Sequence, residues 1–191
     1  MKDMFGFAES FNQNIGAWNV SSVTDMSGMF SVARAFNQNI GNWEVTAVTD
    51  MSGMFANDNA FNGNIGAWDV SSVTDINVMF YNAGAFNQDL SGWDVSSVTG
   101  MYEMFSNAAT FNQNLGSWNV SSVTQMYNMF DGAALTTANF DSLLLGWSAL
   151  TLTHGVYFGA GNSQYSSTTQ GAHDVLVNVY GWIVTDGGIA P

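Results

Sequence analysis

From Phe11 onward the chain nearly repeats itself every 25 residues: "FNQNIGAWNVSSVTDMSGMF" starts at 11, "FNQNIGNWEVTAVTDMSGMF" at 36 and "FNGNIGAWDVSSVTDINVMF" at 61. Five copies run to Phe130 without an insertion. A strict period means that each copy occupies the same place in successive coils of one structure. Phe recurs at 11, 36, 61, 86 and 111, and Trp at 18, 43, 68, 93 and 118. Ordering one copy costs ~25–50 kcal/mol of backbone entropy, whereas one buried aromatic contributes only ~5 kcal/mol. One coil therefore cannot fold alone. Stacking on neighbours must supply the remainder, and identical columns are what allow the coils to nest.

Within a copy two spacings alternate. Trp18 and Val20 are two apart, which predicts a short strand with both side chains on one face. With Ile15 and Val23 they give I-x-x-W-x-V-x-x-V, a variant of the leucine-rich L-x-x-L-x-L pattern. Met26, Met29, Phe30 and Ala33 follow helical spacing, and Thr24 with Asp25 predicts the start of a short helix. "FNQN" then turns the chain back. The fold class expected is an α/β repeat solenoid: a leucine-rich-repeat-like right-handed coil with one short parallel strand and one short helix per copy.

The tail breaks the period. "DSLLLGW" predicts a helix, "GVYF" a strand, "GAHDVLVNVYGW" a second helix and "WIVT" a last strand. Such a segment is needed at the end of a stack, where an open coil would expose core and an unpaired edge. The organisation expected is a repeat array over 1–135, with a partial copy at 1–10 and five copies from about 11, followed by a cap and the start of a linker over 136–191.

"FNQDLSGWDVSSVTGMYEMF" at 86–105, together with "GVYFGAGNSQY" and "YGWIVTDGG" in the tail, resembles the BspA-like leucine-rich-repeat surface proteins of bacteria. Asn14, Asn39 and Asn64 depart from that family's usual Asp, and His173 stands where its cap often has a basic residue. The resemblance implies an exported, modular bacterial protein at the cell surface, with adhesion or partner binding as its role.

The charge is one-sided: two Lys or Arg against fifteen Asp or Glu, a net −13. Such a field repels nucleic acid and anionic membrane and attracts cations. No apolar run reaches the ~20 residues of a membrane-spanning helix. The opening "MKDMFGFAES" lacks the apolar centre of a signal peptide. Met1, Met4 and Phe5 instead align with Met26, Met29 and Phe30, so the chain reads as starting inside a copy of a longer protein. Without cysteine there is no disulfide and no thiolate metal site.

Candidate functional residues come from the outward columns. Asn19, Glu44, Asp69, Asp94 and Asn119 lie between the inward Trp and Val columns. On parallel strands ~4.8 Å apart, Glu44, Asp69 and Asp94 would form a carboxylate ladder on a concave face. It is either a solvated acidic surface or a cation site, with Ca²⁺ favoured by hard oxygen ligands. Three carboxylates are too few to enclose the ion, so water or a second molecule would complete the shell, giving a Ca²⁺-mediated homodimer. Asp25, Asp50 and Asp75 suit helix starts. The Asn12, Asn37, Asn62, Asn87 and Asn112 column predicts amides bonded along the stack. Tyr102 and Tyr127 share one exposed column and could stack a sugar or a partner side chain. His154 and His173 have no metal-ligand spacing, and no nucleophile signature or phosphate loop is present. The function expected is a noncatalytic binding or adhesion module that meets a protein or carbohydrate on a cell surface. The alternatives are a structural spacer and, less favoured, a polysaccharide-acting enzyme using Asp69 and Asp94.

Overall fold

The structure, a computed structural model, describes residues 1–133 and 135–191. Of the expected array over 1–135, residue 134 lies outside the described residues.

The copies are strings of turns. In the first full copy, the N–H groups of Trp18, Val23, Met29, Ser31, Ala33 and Phe36 each donate to the carbonyl three residues earlier. The intervening N–H groups reach the next copy: Met26 to Asp50 O, Gly28 to Ser52 O, Phe30 to Met54 O and Val32 to Ala56 O, at 2.8–2.9 Å. Backbone donors over 26–33 thus alternate between closing a turn and holding a neighbour. Parallel bridges connect Asp25, Asp50, Asp75, Gly100 and Gln125 in sequence, so successive copies lie side by side in register.

The short helix predicted after Thr24 is absent. Residues in the left-handed region interrupt it at two places per copy. One column runs Asp3, Gly28, Gly53, Val78, Glu103 and Asn128; the other runs Phe7, Val32, Asn57, Asn82, Asn107 and Gly132, all with positive φ. An α-helix of L-residues cannot continue through such a position. The strand predicted at Trp18–Val20 is also not found. Those residues lie between two turns, and the parallel pairing falls instead on the Asp25 column.

The inward columns form the core. Phe30 and Phe36 stack with centroids 3.9 Å apart, and Phe55 with Phe61 and Phe80 with Phe86 do the same. Phe30, Phe55, Phe80, Phe105 and Phe130 follow one another at 5.5–5.7 Å along the stack. Trp43, Trp68, Trp93 and Trp118 are buried beside them. Their indole N–H groups donate to Ile15 O, Ile40 O, Ile65 O and Leu90 O, each 28 residues earlier, at 2.9–3.2 Å. These bonds satisfy the one polar atom each indole carries inward. Trp18 is 39% exposed, so four of the five repeat tryptophans are interior.

The asparagine column bonds along the stack as its residue type suggests. Asn12 Oδ1 accepts from Asn37 N–H, Asn37 from Asn62, Asn62 from Asn87 and Asn87 from Asn112.

The tail continues this pairing. Helix α1 (Thr137–Ser148) buries Phe140, Leu143, Leu144 and Trp147, a helical i, i+3, i+4, i+7 face. Its start meets the asparagine column, where Thr136 N–H and Asn139 Nδ2 donate to Asn112 Oδ1. Its end places Trp147 Nε1 3.1 Å from Leu115 O, the bond the repeat tryptophans make. Strand β1 (Tyr157–Gly159) bridges to the fifth copy through Met126 and Phe158. Helix α2 (Gln170–Asp174) runs into a π-helical turn over Val175–Val179. Strand β2 (Ile183–Thr185) pairs in parallel with β1, Tyr157 opposite Ile183 and Gly159 opposite Thr185. Each of the four tail elements overlaps the segment that the sequence marks for it, with shifted ends: α1 starts at Thr137, ahead of "DSLLLGW", β1 reaches Gly159, past "GVYF", and the second helical stretch runs from Gln170 to Val179 rather than to Trp182. They add two further layers to the row of bridges.

Candidate functional site

Four of the five residues of the Asn19 column, all but Glu44, are held by local hydrogen bonds. All five of its side chains are exposed. Asn19 Oδ1 accepts from the N–H and hydroxyl of Ser21, and Asp69 Oδ1 from those of Ser71. Asp94 Oδ1 accepts from Ser96 N–H, and Asn119 Oδ1 from Ser121 N–H. A short side-chain oxygen bonded two residues ahead is an Asx-turn, and Asn and Asp perform it equally. That equivalence accounts for the alternation of Asn and Asp in the column. The Ser71 hydroxyl and then its N–H hold Asp69 below the usual carboxylate range, and the Ser96 hydroxyl and N–H do the same for Asp94. One oxygen of each carboxylate is thus occupied by its own turn. Among the described residues, no group of three or more His, Cys, Asp or Glu side chains is gathered to hold a metal ion, so Glu44, Asp69 and Asp94 form no metal cluster.

The Asp25 column is structural in the same sense. Asp25 Oδ1 accepts from the hydroxyl and N–H of Ser27, which lower its pKa, and Asp50 and Asp75 bond the N–H two residues on. The fourth copy has Gly100 here. Asn77 Oδ1, reaching from the copy before, takes Tyr102 N–H at 2.7 Å instead. A Cβ on Gly100 would meet that amide at 2.6 Å. Gly100 therefore makes room for the group that replaces its missing carboxylate.

Tyr102 and Tyr127 stand in the next column, their rings stacked 4.2 Å apart. Tyr127 is 45% exposed and Tyr102 half-buried. The Glu103 carboxylate beside it, first by hydrogen bonding, pushes the Tyr102 hydroxyl up to about 12. The same column holds Ser27, Ser52 and Asn77 in earlier copies. The solvent face of the bridged row therefore changes along the stack from small polar to aromatic.

The family model described as "Mycoplasma protein of unknown function, DUF285" matches residues 1–66 and 37–147. The chain belongs to this family. No curated protein and no solved structure matches it.

In this DUF285 chain the two basic residues both lie near the start, Lys2 and Arg34, with Arg34 3.4 Å from Glu9. The surface from residue 35 onward carries carboxylates without Lys or Arg. His173 of the tail lies against Tyr165, 4.8 Å between centroids, with its Nε2 3.3 Å from Asp186 Oδ2. His154 packs on Tyr180. Both histidines sit in packing positions of the tail. Residues that the repeat could not disclose join the tyrosines. The bridge between Met126 and Phe158 brings Gly159 beside Tyr127, and Tyr157, Ile183 and Thr185 gather around it. No helix among the described residues is long and apolar enough to cross a membrane.

Proposed function

We propose that this chain is a noncatalytic binding or adhesion module of a BspA-like bacterial surface protein, built as a leucine-rich-repeat-like right-handed solenoid and working outside the cell. The observation that carries this reading is the stacked Tyr102–Tyr127 pair. The Asn and Asp side chains of the outward Asn19, Asp25 and Asn12 columns are engaged in closing turns and joining copies. The tyrosine rings are not needed for either, since Ser27, Ser52 and Asn77 fill the same column elsewhere. Exposed aromatic side chains that the scaffold does not require mark contact surfaces. The excess of carboxylates favours partners that are neutral or basic. Calcium enters this reading as a bridge between two molecules, because the acidic column of one molecule cannot enclose the ion.

The test is adhesion of beads coated with the chain to epithelial monolayers and matrix-protein films, with calcium and with a chelator. Coated beads should adhere, calcium should increase adhesion and self-association, and Tyr102→Ser with Tyr127→Ser should reduce it without moving the melting temperature. Adhesion no greater than that of uncoated beads contradicts the binding role. Equal adhesion by the double variant contradicts the tyrosine surface, and indifference to the chelator removes calcium.

A further inference from the structure

We propose that the cleft where the tyrosine row meets the tail is a binding site for a neutral oligosaccharide. This deepens the reading of the chain as a binding module and rests on it. The column that carries Tyr102 and Tyr127 continues into Gly159 and then Thr185, as the pairing of Met126 with Phe158 and of Gly159 with Thr185 requires. Gly159 cannot bear a side chain, because a Cβ there would stand 2.3 Å from the Asn128 backbone nitrogen. The row of rings therefore ends in a notch. Tyr127 forms one wall, and Tyr157 and Ile183 form the other. All three side chains are exposed, Tyr157 most of all at 59%.

Next to the notch runs a groove of about 490 Å³, lined by Asn128, Asp131, Asn162 and Thr185 over Gly132 and Gly161. Asn128 and Thr185 border both spaces. Among the described residues no side-chain hydrogen bond engages the Asn162 amide or the Thr185 hydroxyl, and both residues are exposed. The site thus places apolar ring surface beside free amide, hydroxyl and carboxylate groups. A pyranose has the matching surface: a C–H face that packs on an aromatic ring, and a rim of hydroxyls that both donate and accept. Charge selects among sugars. With Asp131 and Glu103 nearby and no Lys or Arg after residue 34, a uronate or sulfated sugar meets no counter-charge.

The experiment titrates the full chain with neutral hexasaccharides of glucose, mannose and N-acetylglucosamine, each to roughly 10 mM. Calorimetry and backbone amide shifts are recorded, with oligogalacturonate and a decalysine peptide as comparison arms. The expected result is saturable binding of at least one neutral sugar, with shifts centred on 127–131 and 157–162. Tyr157→Ala should weaken it about threefold to tenfold, and Tyr157→Phe should retain it. No binding of any neutral hexasaccharide overturns the proposal. So does equal affinity of Tyr157→Ala, or a cleft occupied only by the acidic sugar or by decalysine. If every sugar fails while the beads still adhere, the sugar assignment falls and the adhesion reading stands. If both fail, the adhesion reading falls with it.

Discussion

At position 58 five copies of the column have alanine: Ala8, Ala33, Ala83, Ala108 and Ala133, against a single Asp58. Asp58 is fully buried. Its Oδ1 accepts from Ala60 and Phe61 N–H, but Oδ2 has no partner among the described residues. Burial pushes its pKa up to about 7 against the opposing pull of the two N–H groups. The folded state therefore holds this proton more tightly than the unfolded chain, whose Asp titrates near ~3.9. Stability from this group is fully present below the unfolded value and is lost as pH rises through about 7. Asp58→Ala should be stabilising at pH about 8, by up to ~4 kcal/mol, and near neutral at pH about 4. Thermal melts of both proteins across that range check it, and parallel pH profiles would contradict it. The odd residue in the column is visible in the sequence. Its cost is not, because only the stacked copies reveal that the column is sealed from water. The same holds for Asn77 and Gly100: each looks like a lapse in its column, and only their contact shows that one compensates the other.

At the scale of the element, the repeat turn was the feature least legible in the sequence. Inward residues at 26, 29, 30 and 33 satisfy a helix, but they equally satisfy consecutive turns closed by i to i−3 bonds. The deciding signal lies in what the outward positions tolerate. Gly28 and Gly53 in one column, and Asn57, Asn82, Asn107 and Gly132 in the other, are residues that accept positive φ. Val32 sits in the second column at φ 61°, an uncommon conformation for a β-branched side chain. Val32→Asn should relieve ~1 kcal/mol of strain and extend the rung in which Asn82 Nδ2 donates to Asn57 Oδ1 at 2.8 Å. A rise in melting temperature of about 2–4 °C is expected, and an unchanged or lower value would contradict the turn geometry. The inward columns and the tail elements were legible because both follow from burial: identical side chains must nest, and α1 declares its apolar face. The cleft around Gly159 was not. Helix α1 lengthens the separation between indole donor and carbonyl acceptor from 28 to 32 residues, so no periodic reading places Tyr157 beside the tyrosine row.

At the scale of the whole molecule the copies share one polarity. In the first four copies the N–H groups at the Met26, Gly28, Phe30 and Val32 positions donate toward the C-terminal side, and each repeat indole after the first donates back. The tail keeps this arrangement by adding Trp147, bonded to Leu115 O, and Trp182, whose Nε1 lies 2.7 Å from Thr153 O. The central claim is that one in-register stack runs from the first coil through the tail. The indole protons test it most directly, because the seven tryptophans sample every layer of the stack. Hydrogen exchange of the indole N–H signals, followed by nuclear magnetic resonance, should show Trp43, Trp68, Trp93, Trp118, Trp147 and Trp182 strongly protected, with Trp18 alone exchanging rapidly. Rapid exchange at several of those six, or protection confined to the repeat tryptophans with Trp147 and Trp182 open, would contradict it.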